Sequence, residues 1–207
     1  MAPTQELALL WAPHTARSAP STRAVALQRV RTHRPLTAER TALPVLGKTR
    51  DAGGETWLKV MLPGRPNGHT GWIESGKTTR AATSWHLVVS TSQRQVTVYH
   101  RGRAVRTFEA IVGKPSTPTP IGRFFVEEAI QLRSGDVGAP FALALSARST
   151  VLQEFAGGPG QIAVHGLANI GGVLGTAVSH GCVRLSGAAM RWLVARIGPG
   201  APVTVRR

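Results

Sequence analysis

Short runs that alternate apolar with polar residues, broken by glycine- and proline-rich turns at a spacing of roughly 8 to 12 residues, leave little room for helices in this chain. Leu43 to Leu46 is apolar, and Asp51 to Gly54 makes a turn. Trp57-Leu58-Lys59-Val60-Met61-Leu62 then sets Leu58, Val60 and Leu62 on one face of a strand. Pro63 to Gly68, ending in Asn67-Gly68, turns the chain back into Gly71-Trp72-Ile73. The rhythm continues downstream: His86 to Ser90 is a strand, Ser92 to Arg94 a turn, Gln95 to Tyr99 an alternating strand, and Arg101 to Arg103 a turn before Val105 to Val112. Gly113 to Pro120 holds three prolines and must be a stiff loop, because proline cannot donate to a central ladder. Gly122 to Val126, Phe141 to Leu145 and Gln161 to His165 resume the sheet. The pattern predicts an all-β fold of sandwich or barrel type and argues against a doubly wound α/β sheet. One helix is expected: Ser186 is a suitable N-cap, and Met190, Leu193, Val194 and Ile197 recur at helical spacing before Gly198-Pro199-Gly200. Pro202 to Val205 closes the sheet.

The chain divides into three stretches. Residues 1–38, rich in Ala, Pro, Ser, Thr and Arg without periodicity, are expected to form a flexible basic leader. A small β unit follows over 39–80 and a larger one over 81–207, joined through the polar stretch Gly76 to Ser84. No run approaches the eighteen apolar residues of a membrane-spanning helix. Leu7 to Ala12 has no preceding Lys or Arg and makes a poor signal peptide. The formal charge of +15 favours polyanions. Basic residues are scattered, however, and aromatics make up only 5%, so the stacking platforms of nucleic-acid binders are missing and no nucleic-acid partner is expected. The chain is expected to be a monomer.

Chemistry concentrates at Ser179-His180-Gly181-Cys182-Val183-Arg184-Leu185. Cys182 is the only cysteine, which excludes an intramolecular disulfide and leaves a free thiol. An unperturbed thiol is only roughly 3% ionised at neutral pH, so a nucleophilic cysteine needs a base or a positive field. Two histidines compete for that role: His180, two residues away, and His165, at the end of Ile162-Ala163-Val164-His165-Gly166. No Asp or Glu follows Glu154. A main-chain carbonyl, with Gly166 the nearest candidate, is therefore the expected orienter of His165, while Glu127, Glu128 and Asp136 are available only through the fold. Successive amides of His180, Gly181 and Cys182 would supply donors to an oxyanion. The planar fork of Arg184 suits a substrate carboxylate, against a surface ion pair as the alternative. Gly166 to Val178, glycine-rich and uncharged, is supple enough to fold over a cleft. His165, His180 and Cys182 are all zinc-ligand types, but without a second cysteine, a His-Glu-x-x-His or a nearby acid the expectation is no metal and no cofactor.

Val164-His165-Gly166 taken with Ser179-His180-Gly181-Cys182-Val183-Arg184 resembles the catalytic motif of the L,D-transpeptidases, bacterial enzymes that cross-link peptidoglycan. Thr117-Pro118-Thr119-Pro120-Ile121-Gly122-Arg123-Phe124 is similar to that family's threonine/proline turn and following strand. The resemblance covers about residues 84 to 207. It implies Cys182 as nucleophile, His165 as general base and a shaping role for His180, with His180 and Gly181 lending oxyanion-hole backbone and Arg184, Ser179 and Gly166 touching substrate. It further implies acyl transfer through a thioester, from a tetrapeptide stem to the side-chain amine of a neighbouring stem, outside the cytoplasm. Water as acceptor would give an L,D-carboxypeptidase instead. Family members often add a tyrosine hydroxyl at the oxyanion, but the only tyrosine here is Tyr99, and Phe141 stands where one would be sought. Trp57 and Gly71-Trp72-Ile73 make residues 39–80 resemble a bacterial SH3-like barrel, with at least one tryptophan in its core. With the cysteine idle, that unit and the charge would make a binding module for anionic cell-wall polymers.

Overall fold

A computed structural model describes residues 1–155 and 157–207. The chain forms two β units that share one strand between their cores. In the first, β1 (Gln5–Leu10), β2 (His14–Arg17), β3 (Ala26–Val30), β4 (Ala42–Arg50), β5 (Thr56–Met61), β6 (Thr70–Glu74) and β7 (Thr78–Thr83) make a sheet in the order β3-β2-β6-β5-β4-β1-β7. Leu58, Val60 and Ile73 meet Leu10, Ala16 and Leu43 in its core, and Trp57 is fully buried with its indole N–H donating to Asp51.

The flexible leader expected over residues 1–38 is corrected here, since these residues supply β1, β2 and β3. Strand β1 lies between β4 and β7, with Leu7, Ala8 and Leu10 buried. Its apolar run lacks alternation, and β3 buries only Val30, so neither strand has a readable period. The sheet runs to Thr83, which moves the first unit to residues 5–83 and makes it larger than the small barrel expected over 39–80.

The second unit contains β8 (Trp85–Ser90), β9 (Gln95–His100), β10 (Arg103–Glu109), β11 (Val112–Gly113), β12 (Gly122–Gln131), β13 (Phe141–Arg148), β14 (Gln161–His165), β15 (Ala177–Ser179), β16 (Val183–Arg184), α1 (Gly187–Val194) and β17 (Pro202–Arg206). Eight strands form a half-barrel ordered β10-β9-β8-β17-β12-β13-β14-β16, and β11 pairs with β15 beside it. The mainly β architecture with one short helix is as the sequence predicts. Ser186 caps α1 by accepting from the Ala189 amide at 3.1 Å, and Ala189, Met190 and Leu193 turn into the half-barrel's core.

Strand β12 joins the units. Alternation sends Phe124 and Val126 into the second core, while Phe125 enters the first. The next two residues, Glu127 and Glu128, are buried acids. Arg34, from the β3–β4 connection, pairs with Glu127 and lies 3.7 Å from Glu128, and Arg148 reaches Glu127 at 3.1 Å. The Leu36 and Thr37 amides donate to Glu128 at 3.1 and 3.0 Å. These carboxylates therefore latch the units together and do not orient His165. Burial, together with the like charge of Arg65, lowers the Arg148 pKa to about 10.

Candidate active site

Strand β14 buries Ile162 and Val164 on one side and turns Gln161, Ala163 and His165 to the other, a direct result of the two-residue period. Parallel β16 pairs Val183 with Val164 and Arg184 with His165. Cys182, one residue ahead of β16, is thereby brought level with Ala163, two residues from His165 and on its face. The Ala163 amide donates to Cys182 Sγ at 3.4 Å.

His165 Nδ1 lies 2.8 Å from the Gly166 carbonyl. A carbonyl only accepts, so Nδ1 carries the proton and Nε2 of the neutral ring has its lone pair free to take one. The Gly166 amide donates to Gly138 O at 2.7 Å, and Gly138 N donates to Ala168 O at 2.8 Å. Gly138, at φ +84°, is where the ring needs a missing side chain: a Cβ there would come within 2.5 Å of His165 Nδ1. Gly166 is buried and spends both its amide and its carbonyl on this arrangement. It positions the imidazole, which corrects its expected contact with substrate.

Burial is the largest influence on both Cys182 and His165. It pushes the Cys182 thiol pKa up, against opposing effects from the Ala163 amide and the Arg184 charge. It lowers the His165 pKa, with the Gly166 carbonyl opposing and Arg184 adding to the fall. Both directions favour a neutral thiol and a neutral imidazole on one sheet face, an arrangement suited to general-base activation.

The turn bearing the cysteine is tied from within and from the Gly113–Pro120 loop. Ser179 Oγ donates to Cys182 O at 2.6 Å and accepts from the Gly181 amide at 3.1 Å. Thr119 Oγ1 donates to Gly181 O at 2.9 Å, Thr117 Oγ1 to Ser179 O at 3.2 Å, and the Lys114 amide to Ser179 O at 2.9 Å. Ser179 is fully buried, so the expectation that it touches substrate is replaced by a positioning role. The Gly181 amide is likewise engaged. Among the described residues the His180 and Cys182 amides have no acceptor, which leaves these two able to donate to an oxyanion. Gly181 itself is required by φ +119° and by Ile162 Cδ1, 3.0 Å from where a Cβ would stand. Thr117 and Thr119 are the site residues that sequence reasoning left without a function, although the threonine/proline motif had marked their loop.

His180 is exposed, its ring stacked on Phe155 with centroids 5.5 Å apart and planes at 29°. Arg184 is only 8% exposed, which sets aside the surface ion pair. Its Nη1 reaches Gly171 O at 3.4 Å; among the described residues Nε has no hydrogen-bond partner and no carboxylate lies within ion-pair reach. A buried guanidinium lacking a counter-ion is costly unless an anion arrives to meet it. Tyr99 sits on β9, and Phe141 precedes the Ala142 that pairs with His165.

A sequence profile of the L,D-transpeptidase catalytic domain matches residues 84–205. L,D-transpeptidase 1 of Mycobacterium tuberculosis is 32% identical over 130 residues, covering 57% of this chain and 49% of that protein; the chain thus spans about half the length of this relative. The YkuD protein of Bacillus subtilis is 26% identical over 156 residues, 75% of this chain and 79% of that protein. In fold, the crystal structure of an L,D-transpeptidase from M. tuberculosis superposes with a TM-score of 0.50 at 19% identity, covering 74% of this chain and 90% of that one.

Proposed function

Because the chain belongs to the L,D-transpeptidase catalytic-domain family, we propose that it cross-links peptidoglycan by cysteine acyl transfer. His165 Nε2 takes the Cys182 proton as Sγ attacks the carbonyl of the third residue in a tetrapeptide stem. The tetrahedral oxyanion is held by the His180 and Cys182 amides. On collapse, the carbon–nitrogen bond to the terminal D-alanine breaks, its amine leaves with the proton from His165, and a thioester remains. The side-chain amine of a neighbouring stem then attacks and yields its proton to His165. Sγ departs and is reprotonated, leaving an amide between third residues. Arg184 meets a stem carboxylate, the one counter-charge its buried fork lacks.

The observation that carries this reading is the free Nε2 of a carbonyl-pinned imidazole on the same sheet face as a cysteine sulfur held by a main-chain amide. The reaction takes place in the cell wall, outside the cytoplasm; no described helix is long and apolar enough to cross a membrane. The first unit, whose residues 39–80 carry the SH3-like sequence resemblance, holds anionic wall polymer through its basic residues. Intact-mass measurement after exposure to meropenem tests the chemistry. An adduct on the wild type that is absent from Cys182→Ala supports it, and an adduct on both would overturn it.

A further inference from the structure

The turn Pro63–Gly68 of the first unit crosses the unit boundary and seizes a loop beside the active site. Asn67 Nδ2 donates to Arg148 O at 2.7 Å and its Oδ1 accepts from Arg148 N at 2.8 Å, so a side-chain amide pairs with the end of β13 as a neighbouring strand would. Next to it, Arg65 Nη1 donates to Pro159 O at 2.9 Å, and Nη2 donates to Ser149 O at 2.9 Å and Leu152 O at 3.0 Å. Three carbonyls of one loop, residues 149–160, thus converge on one guanidinium. The loop closes tightly around it: Gly160 has φ +64°, and a Cβ there would overlap Leu152 O and come within 3.3 Å of Arg65 Nη2.

This loop carries Phe155. Phe155 is 52% exposed, so burial explains little of its placement, and its ring is stacked on the His180 imidazole. His180 lies two residues before Cys182, and its amide is one of the two in this turn that have no acceptor among the described residues. A continuous chain of contacts therefore runs from Arg65 in the first unit, through the three carbonyls and Phe155, to the turn that presents the nucleophile.

We propose, resting on the assignment of Cys182 as nucleophile, that Arg65 is a positioning residue: it holds the 149–160 loop so that Phe155 braces His180, and so sets the rate at which Cys182 is acylated. The first unit then contributes to the chemistry of the second as well as being docked to it. Lysine cannot replace it fully, because an ammonium lacks the planar fork that serves several carbonyls at once.

The test compares the full chain with Arg65→Ala, Arg65→Lys, Phe155→Ala and the Arg65→Ala/Phe155→Ala double variant. Acylation by meropenem is followed by intact mass, the His180 ring resonances by NMR, and unfolding midpoints alongside. Arg65→Ala and Phe155→Ala should each slow acylation by about threefold to thirtyfold, the range of energetic coupling between linked sites. The double variant should be no slower than the slower single, since both act through one brace. Arg65→Ala should move the His180 resonances as Phe155→Ala does, with Arg65→Lys between it and the wild type. Wild-type acylation in Arg65→Ala, unmoved His180 resonances, or additive losses in the double variant would overturn the proposal and leave Arg65 as a docking contact alone. If the wild type forms no adduct, the Cys182 assignment fails on its own, and the His180 resonances still decide whether Arg65 places Phe155.

Discussion

His165 shows how much a single main-chain bond decides. Donation from Nδ1 to Gly166 O fixes the tautomer without any carboxylate, in a stretch where the sequence has no acid to offer. That arrangement was legible in advance because the absence of Asp and Glu after Glu154 left main-chain oxygen as the orienter. Gly138 was not legible: its glycine matters only because the fold brings a loop 27 positions earlier against the imidazole. The direction of the His165 pKa has a measurable consequence. Burial lowers it, and only the neutral ring can accept the thiol proton. The meropenem acylation rate should therefore stay level as pH falls through the ordinary histidine value of about 6.5, and decline only below it. An acid limb centred above that value would contradict a buried neutral base.

Among the elements, β14 and α1 announce themselves because one face of each is buried and the other is not, so their periods survive in the sequence. Strands β1 to β3 do not, being short or almost wholly exposed, and stabilised by partners such as β4 and β7 that lie far away in the chain. The Gly113–Pro120 loop was legible as stiff. Its purpose was not, because Thr117 and Thr119 act on carbonyls 62 positions downstream. Thr119 serves both sides, accepting from Gly113 N and donating to Gly181 O. Thr119→Val keeps the shape and removes both bonds, leaving buried polar groups unpaired. It should lower unfolding stability by about 1–3 kcal/mol in denaturant titration and slow acylation as well. Unchanged stability would show that the loop does not secure the turn that carries Cys182.

At the scale of the whole molecule, the two units are joined because β12 feeds both cores and then sets Glu127 and Glu128 against Arg34 and Arg148. Sequence reading found the acids and the basic N-terminal stretch but could not join them, since the pairing spans about ninety residues. Removing one member of such a buried network strands the others. Arg34→Met should cost about 3–5 kcal/mol in chemical unfolding, far more than a surface arginine would, and a loss below about 1 kcal/mol would deny the latch its role. The central claim, that Cys182 and His165 carry acyl transfer between peptide stems, is tested most directly by incubating the protein with disaccharide-tetrapeptide and weighing the products. The account predicts dimers joined between third residues, one D-alanine released for each, from the wild type but not from Cys182→Ala or His165→Ala. Tripeptide without dimers would make water the acceptor, and turnover that survives Cys182→Ala would contradict the account outright.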